Sequence, residues 1–253
     1  MLLPKEHGAY GQMAMPLVTA LVVAGPSPMA GAIVAGFLAH EPLMVLLGTR
    51  GPRARREAGL SAPVWLGALA VAGTVAGFLA LGQTPPALRW TYLLPLVPAV
   101  LLTREVWRGQ PKSATAEVSA ATAFSLAAVP MVASAGAPVT TGLSIALPFL
   151  VVFVAATLAV RAVTRRVRDG SDSPAGRPAG RPAVFTALAG TAALGWAAAV
   201  TALPWSACAA ALPGAVLAAG VAVALPHPRH LKRLGWMIVG ASLWAAGVLV
   251  ATR

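Results

Sequence analysis

Apolar runs long enough to cross a bilayer follow one another along this chain, and the basic residues sit in short clusters on every second connection between them. A helix needs about 20 mostly apolar residues to span the hydrocarbon core. By that measure there are nine spans, at about 9–25, 28–48, 61–82, 88–103, 114–135, 139–163, 182–203, 206–225 and 234–251. Threaded back and forth, they put seventeen of the nineteen Lys and Arg residues on one side. These are Lys5; Arg50, Arg53, Arg55 and Arg56; Arg104, Arg108 and Lys112; the stretch from Arg161 to Arg181; and Arg229, Lys232 and Arg233. Arg89 and the terminal Arg253 fall opposite. Dropping or merging a span would scatter whole clusters to both sides, so the span count and the charge asymmetry support each other. The fold class expected is all-α: a polytopic membrane helix bundle forming a single membrane domain over residues 1–253. The positive-inside rule places its N-terminus in the cytoplasm and its C-terminus outside.

Composition narrows the partners. The chain is 58% hydrophobic and 10% charged, against about 25% charged residues in a soluble domain. So little charge cannot coat a globule in water, and membrane lipid is the expected surroundings. The net charge of +12 sits between apolar runs without interleaved aromatics, a pattern of membrane topology and not of nucleic-acid binding. The one cysteine, Cys208, excludes an internal disulfide and a cysteine metal site. No cleavable signal peptide is expected, because the first apolar run follows Lys5, Glu6 and His7 and continues into a full span. Residues 169–182, with a repeated Ala-Gly-Arg-Pro, read as a flexible cytoplasmic linker.

Four groups of residues are candidates for chemistry. Pro4, Lys5, Glu6, His7, Gly8, Ala9, Tyr10, Gly11 and Gln12 form a dense polar opening to the first span, followed by Pro16. Glu6 and His7 offer an acid/base pair, and Gly8 and Gly11 permit close approach of backbone or ligand. A plain helix start with an interfacial tyrosine is the alternative. His40, Glu41 and Pro42 lie deeper; counted back from Arg50, Glu41 stands about 13 Å inside the basic end. An ionisable group at depth marks a functional site, or else a buried ion pair. Arg161, Arg165 and Arg168 share one helical face and suit phosphate or carboxylate recognition, with lipid anchoring as the alternative. Glu117 is a candidate partner for one of them. Finally, His227 and His230 lie in a basic loop without further ligands at metal spacing, so no metal site is expected there.

The opening Pro4-Lys5-Glu6-His7-Gly8-Ala9-Tyr10 with Pro16 resembles the start of the YwiC-like family of bacterial integral membrane proteins. The stretch Leu158 to Arg165 is similar to that family's pattern after its sixth span. The resemblance implies a bacterial inner-membrane protein and no particular activity. The nine-span layout, with charged loops after the second and sixth spans, also looks like the UbiA-type membrane prenyltransferases. That likeness implies a lipid or isoprenoid ligand with an anionic head, entering a cytoplasm-facing cavity. Those enzymes bridge Mg²⁺ between Asp-rich motifs and a diphosphate. Here Gly48 to Arg53 has no Asp, and the later loop has only Asp169 and Asp172, so no bound metal is expected and the cofactor is unknown. The functional expectation is an enzyme or binding protein in which His7, Glu6 and Glu41 do acid/base work. Lys5, Tyr10, Gln12, His40, Arg50, Glu117, Arg161, Arg165 and Arg168 would hold the ligand. A carrier for a small anion or lipid, and a non-enzymatic assembly partner, are the alternatives.

Overall fold

The computed structural model describes residues 3, 7–168 and 180–253, with the side chains of 7 and 166–168 left out. The expectations for Lys5, Glu6, the His7 and Arg168 side chains, and residues 169–179 of the linker therefore lie outside the described residues. Every regular element described is helical. In chain order they are α1 (His7–Ala24), α2 (Pro28–Leu46), α3 (Gly51–Ala58) and α4 (Ser61–Gln83). A 3₁₀ turn (Pro86–Tyr92) runs into α5 (Leu93–Trp107). Then come α6 (Ala114–Leu126), α7 (Ala128–Ser134), α8 (Val139–Arg168), α9 (Arg181–Val200), α10 (Trp205–Ala224) and, after a 3₁₀ turn at Pro228–His230, α11 (Leu231–Ala251). Eight helical stretches among the described residues are long and apolar enough to cross a membrane, and α1 is a shorter apolar helix beside them. The protein is a multi-pass helical membrane bundle.

Local chemistry sets the helix ends. Ser27 and Ser113 cap α2 and α6, accepting hydrogen bonds from the amides of Met29 and Ala116. At the other ends of α2, α5 and α7 stand Gly48, Gly109 and Gly136, all with positive φ. Each glycine and the residue after it return their amides to the last helical carbonyls, as in Gly48 to Val45 and Thr49 to Met44. These tight caps fold the chain straight back into the next element.

Three boundaries differ from the sequence reading. The fourth span begins earlier, because Pro86–Tyr92 winds as 3₁₀ before α5 and the two together cover 22 residues. The basic connection after the second span is not a loop: Arg53 and Glu57 pair at 2.7 Å one turn apart and steady α3. The linker also ends sooner than 182. Arg181 and Pro182 form the first turn of α9, where a proline costs no helical hydrogen bond.

The outward surface is apolar. Phe78, Phe185, Leu188, Val216 and Val223 are each more than 60% exposed, and they belong to a far longer set. Keeping such a set in water would cost on the order of tens of kcal/mol, against a net stability of about 5–15 kcal/mol. Membrane lipid removes that cost. The seven tryptophans divide between the two ends: Trp65, Trp107 and Trp236 at the basic end, and Trp90, Trp196, Trp205 and Trp244 toward the other, all of them exposed. Two such girdles mark the two interfaces of a bilayer.

Inside, α8 is the hub. A Cβ on Gly214 of α10 would meet Val152 at 2.6 Å, and one on Gly190 of α9 would meet Val151 at 2.7 Å. Glycine at these two positions lets both helices lie against α8. Pro213 frees the carbonyl of Ala209 from its helical partner, and Trp244 of α11 donates its indole N–H to that oxygen at 3.3 Å. At the far end, the Ser27 and Ser134 hydroxyls bond at 2.5 Å and join α2 to α7.

Candidate functional site

All four acidic residues among the described ones, Glu41, Glu57, Glu105 and Glu117, lie in the basic half of the bundle. Two of them make ion pairs that flank the start of α1. The first joins Glu41 and Arg50 at 2.6 Å, with the side chains 4% and 20% exposed. The glycine cap at Gly48 creates it: the chain reverses after Leu46, and Arg50 swings back over the last turns of α2. This corrects the depth read from sequence. Residues 47–50 do not continue the helix, so Glu41 lies only about 7 Å from the end of α2. Pro42 follows it, buried.

The second pair joins Glu117, in the first turn of α6, to Arg161 of α8 at 2.7 Å. The same Nη1 donates to the carbonyl of Lys112 at 2.9 Å. Arg161 is drawn inward while Arg165, one turn on, is exposed. Of these two, Arg161 meets a carboxylate and Arg165 meets none among the described residues.

Two contacts fix α1 between these pairs. The Tyr10 ring meets the edge of Phe37 with centroids 4.8 Å apart, and Phe37 meets Phe124 of α6 at 5.7 Å. Phe37 lies one turn below Glu41. The Gln12 amide donates to Thr157 of α8 at 3.3 Å, one turn below Arg161. His7 stands one turn above Tyr10 on α1, so its backbone reaches the level of both ion pairs. His40 is half-buried beside Glu41 in the chain and has an interaction partner of its own. Gly8 and Gly11 have open space where a Cβ would stand, so no described packing contact requires glycine there.

Sequence reasoning missed one neighbouring cluster. Glu105 of α5 is buried, accepts a hydrogen bond from Ser113 Oγ at 2.8 Å and lies 3.7 Å from Arg108. It clamps the α5–α6 turn that presents the Lys112 carbonyl to Arg161. A carboxylate between Arg104 and Arg108 was the available signal. Among the described residues, no three His, Cys, Asp or Glu side chains gather as a metal ligand set.

A polytopic helical membrane protein with its described acidic residues and most of its basic ones at one end is the class these features define. The site draws on α1, α2, α6 and α8, with α1 at its centre. The chain belongs to the YwiC-like protein family, whose model matches residues 3–133. That match takes in the N-terminal motif, Glu41, Arg50 and Glu117, and stops before α8. No curated protein and no solved structure matches the chain.

Proposed function

We propose that this YwiC-like protein binds a lipid or isoprenoid with an oxyanion head at the cytoplasmic end of its bundle. Arg161 carries the reading. Its Nη1 is taken by Glu117 and the Lys112 carbonyl, while its Nε is buried without a hydrogen-bond partner among the described residues. A buried donor left unmade costs about 1–3 kcal/mol, and the guanidinium edge that carries Nε and Nη2 has the geometry to match two oxygens of a phosphate or carboxylate. The start of α1 is compatible with the same ligand, since a helix N-terminus favours an anion and Gly8 is exposed there.

In this reading Glu117 and Lys112 position Arg161, and Glu41 positions Arg50. Lys5, Tyr10, Gln12, His40, Arg165 and Arg168 surround the head. Glu6, His7 and Glu41 are the groups able to accept or supply a proton. The arrangement is UbiA-like in placing its charged end on the cytoplasmic side, with the C-terminus outside. Concentration of charge at one end favours a site entered from one face over a through-path for a carrier.

The test is direct binding of farnesyl diphosphate and inorganic diphosphate to the full-length protein in detergent, compared with Arg161→Lys. Lysine keeps the charge and loses the planar fork. The expected result is binding by the native protein, weakened about tenfold in the variant, one lost charge-assisted hydrogen bond. Equal binding by both, or none by the native protein, overturns the reading.

A further inference from the structure

Two open grooves lie away from the α1 site, along α5. One, of about 500 Å³, is lined by Val100, Thr103, Arg104, Trp107 and Arg108. The other, of about 550 Å³, runs between α5 and α6 past Leu101, Val97 and Leu93, with Val118 and Thr122 on the facing wall. Positions 93, 97, 100, 104 and 107 recur every three or four residues, so the two grooves share one face of α5. That face is basic at its last turn and apolar below.

The charge at the head of the groove is only partly neutralised. Arg104 is exposed and has no acidic partner among the described residues; Arg108 meets Glu105 only at 3.7 Å, and Glu105 is engaged by Ser113. Trp107, 81% exposed, stands between them in sequence, at the depth where an indole sits against headgroups. Two guanidinium groups one turn apart, over an apolar trough, complement a molecule with a phosphate at one end and a hydrocarbon chain at the other.

We infer that the two grooves along α5 together form a binding site for an anionic phospholipid of the cytoplasmic leaflet. Arg104 and Arg108 hold its phosphate, and an acyl chain lies along Val100, Leu101 and Val97. The site is distinct from Arg161 and stands independently of the reading above. The neighbouring α3 separates specific docking from general attraction to a charged surface. Its Arg53, Arg55 and Arg56 are equally basic, and neither groove touches it.

Native mass spectrometry of the detergent-solubilised full chain, titrated with phosphatidylglycerol and with phosphatidylcholine, tests the inference. Phosphatidylglycerol is expected to bind in preference. The paired substitution Arg104→Gln with Arg108→Gln lowers its affinity about tenfold. Thr122→Trp, which fills the trough, also lowers it, whereas Arg53→Gln with Arg55→Gln leaves it unchanged. Loss of the preference with Arg161→Lys, together with its survival in the α5 pair, places the lipid at the α1 site and overturns the inference. Equal binding of the two lipids, or an equal loss from the α3 substitutions, overturns the inference.

Discussion

Replacing Glu41 by Gln removes one charge from the Glu41–Arg50 pair and leaves the other in place. The Glu41 side chain is 4% exposed and Arg50 20%, so little water is at hand to take over the guanidinium. Removing one member of a buried pair costs about 3–5 kcal/mol, and the partial exposure of Arg50 puts this case near 3 kcal/mol. In a chain of this size each kcal/mol moves the melting midpoint by about 2–4 °C. The expected drop is therefore about 6–12 °C. Thermal unfolding of the purified protein in detergent, followed by tryptophan fluorescence at a fixed heating rate, reads it. Glu57→Gln is the internal control: Arg53 and Glu57 are 88% and 64% exposed, and surface pairs contribute about 0–1 kcal/mol. Combining Glu41→Met with Arg50→Met removes both charges and is expected to recover most of the loss. A melting point for Glu41→Gln within about 1 °C of native refutes the claim that this pair is desolvated and coupled.

Glycine substitutions are expected to have opposite signs by position. Gly214→Ala places a Cβ 2.6 Å from Val152 and costs about 1–3 kcal/mol, while Gly240→Ala meets nothing within 4 Å and gains about 0.5–1 kcal/mol; the same melting assay reads both. Orientation is checked with C-terminal reporters. Alkaline phosphatase fused after Arg253 is expected to be active and green fluorescent protein dark, and the reverse result refutes the cytoplasmic assignment of the basic end.

Much of the bundle was legible because the bilayer imposes its period on the sequence. The apolar runs had to be long, and the arginines had to lie between them. What was not legible depended on three-dimensional closure. Gly48 gave no hint that Arg50 would fold back on Glu41, because a glycine cap acts through φ and two backbone hydrogen bonds, not through side-chain pattern. The basic segment 51–58 read as a loop since its helix is amphipathic and lies outside the apolar runs. Glu117 was readable as a partner for an arginine, yet the choice of Arg161 over Arg165 rests on which turn of α8 faces α6. Thr157, Phe37 and Phe124, which hold α1 at its level, look in sequence like any other residues of an apolar span.

Binding from one face and passage across the membrane make different demands on the far end. There the Ser27 and Ser134 hydroxyls bond at 2.5 Å across α2 and α7, and Arg253 donates to the Val22 carbonyl at 2.5 Å. A carrier must break the serine contact to open outward, whereas a site entered from the basic end never needs to. The two side chains already meet, so cysteines at both positions, with Cys208→Ser to remove the native thiol, are expected to form a covalent lock. The oxidised protein is expected to bind farnesyl diphosphate as tightly as the reduced one. A locked protein that loses binding, or a reduced one that moves the ligand across a vesicle membrane while the oxidised one does not, refutes a one-sided site and makes the far-end contact a gate.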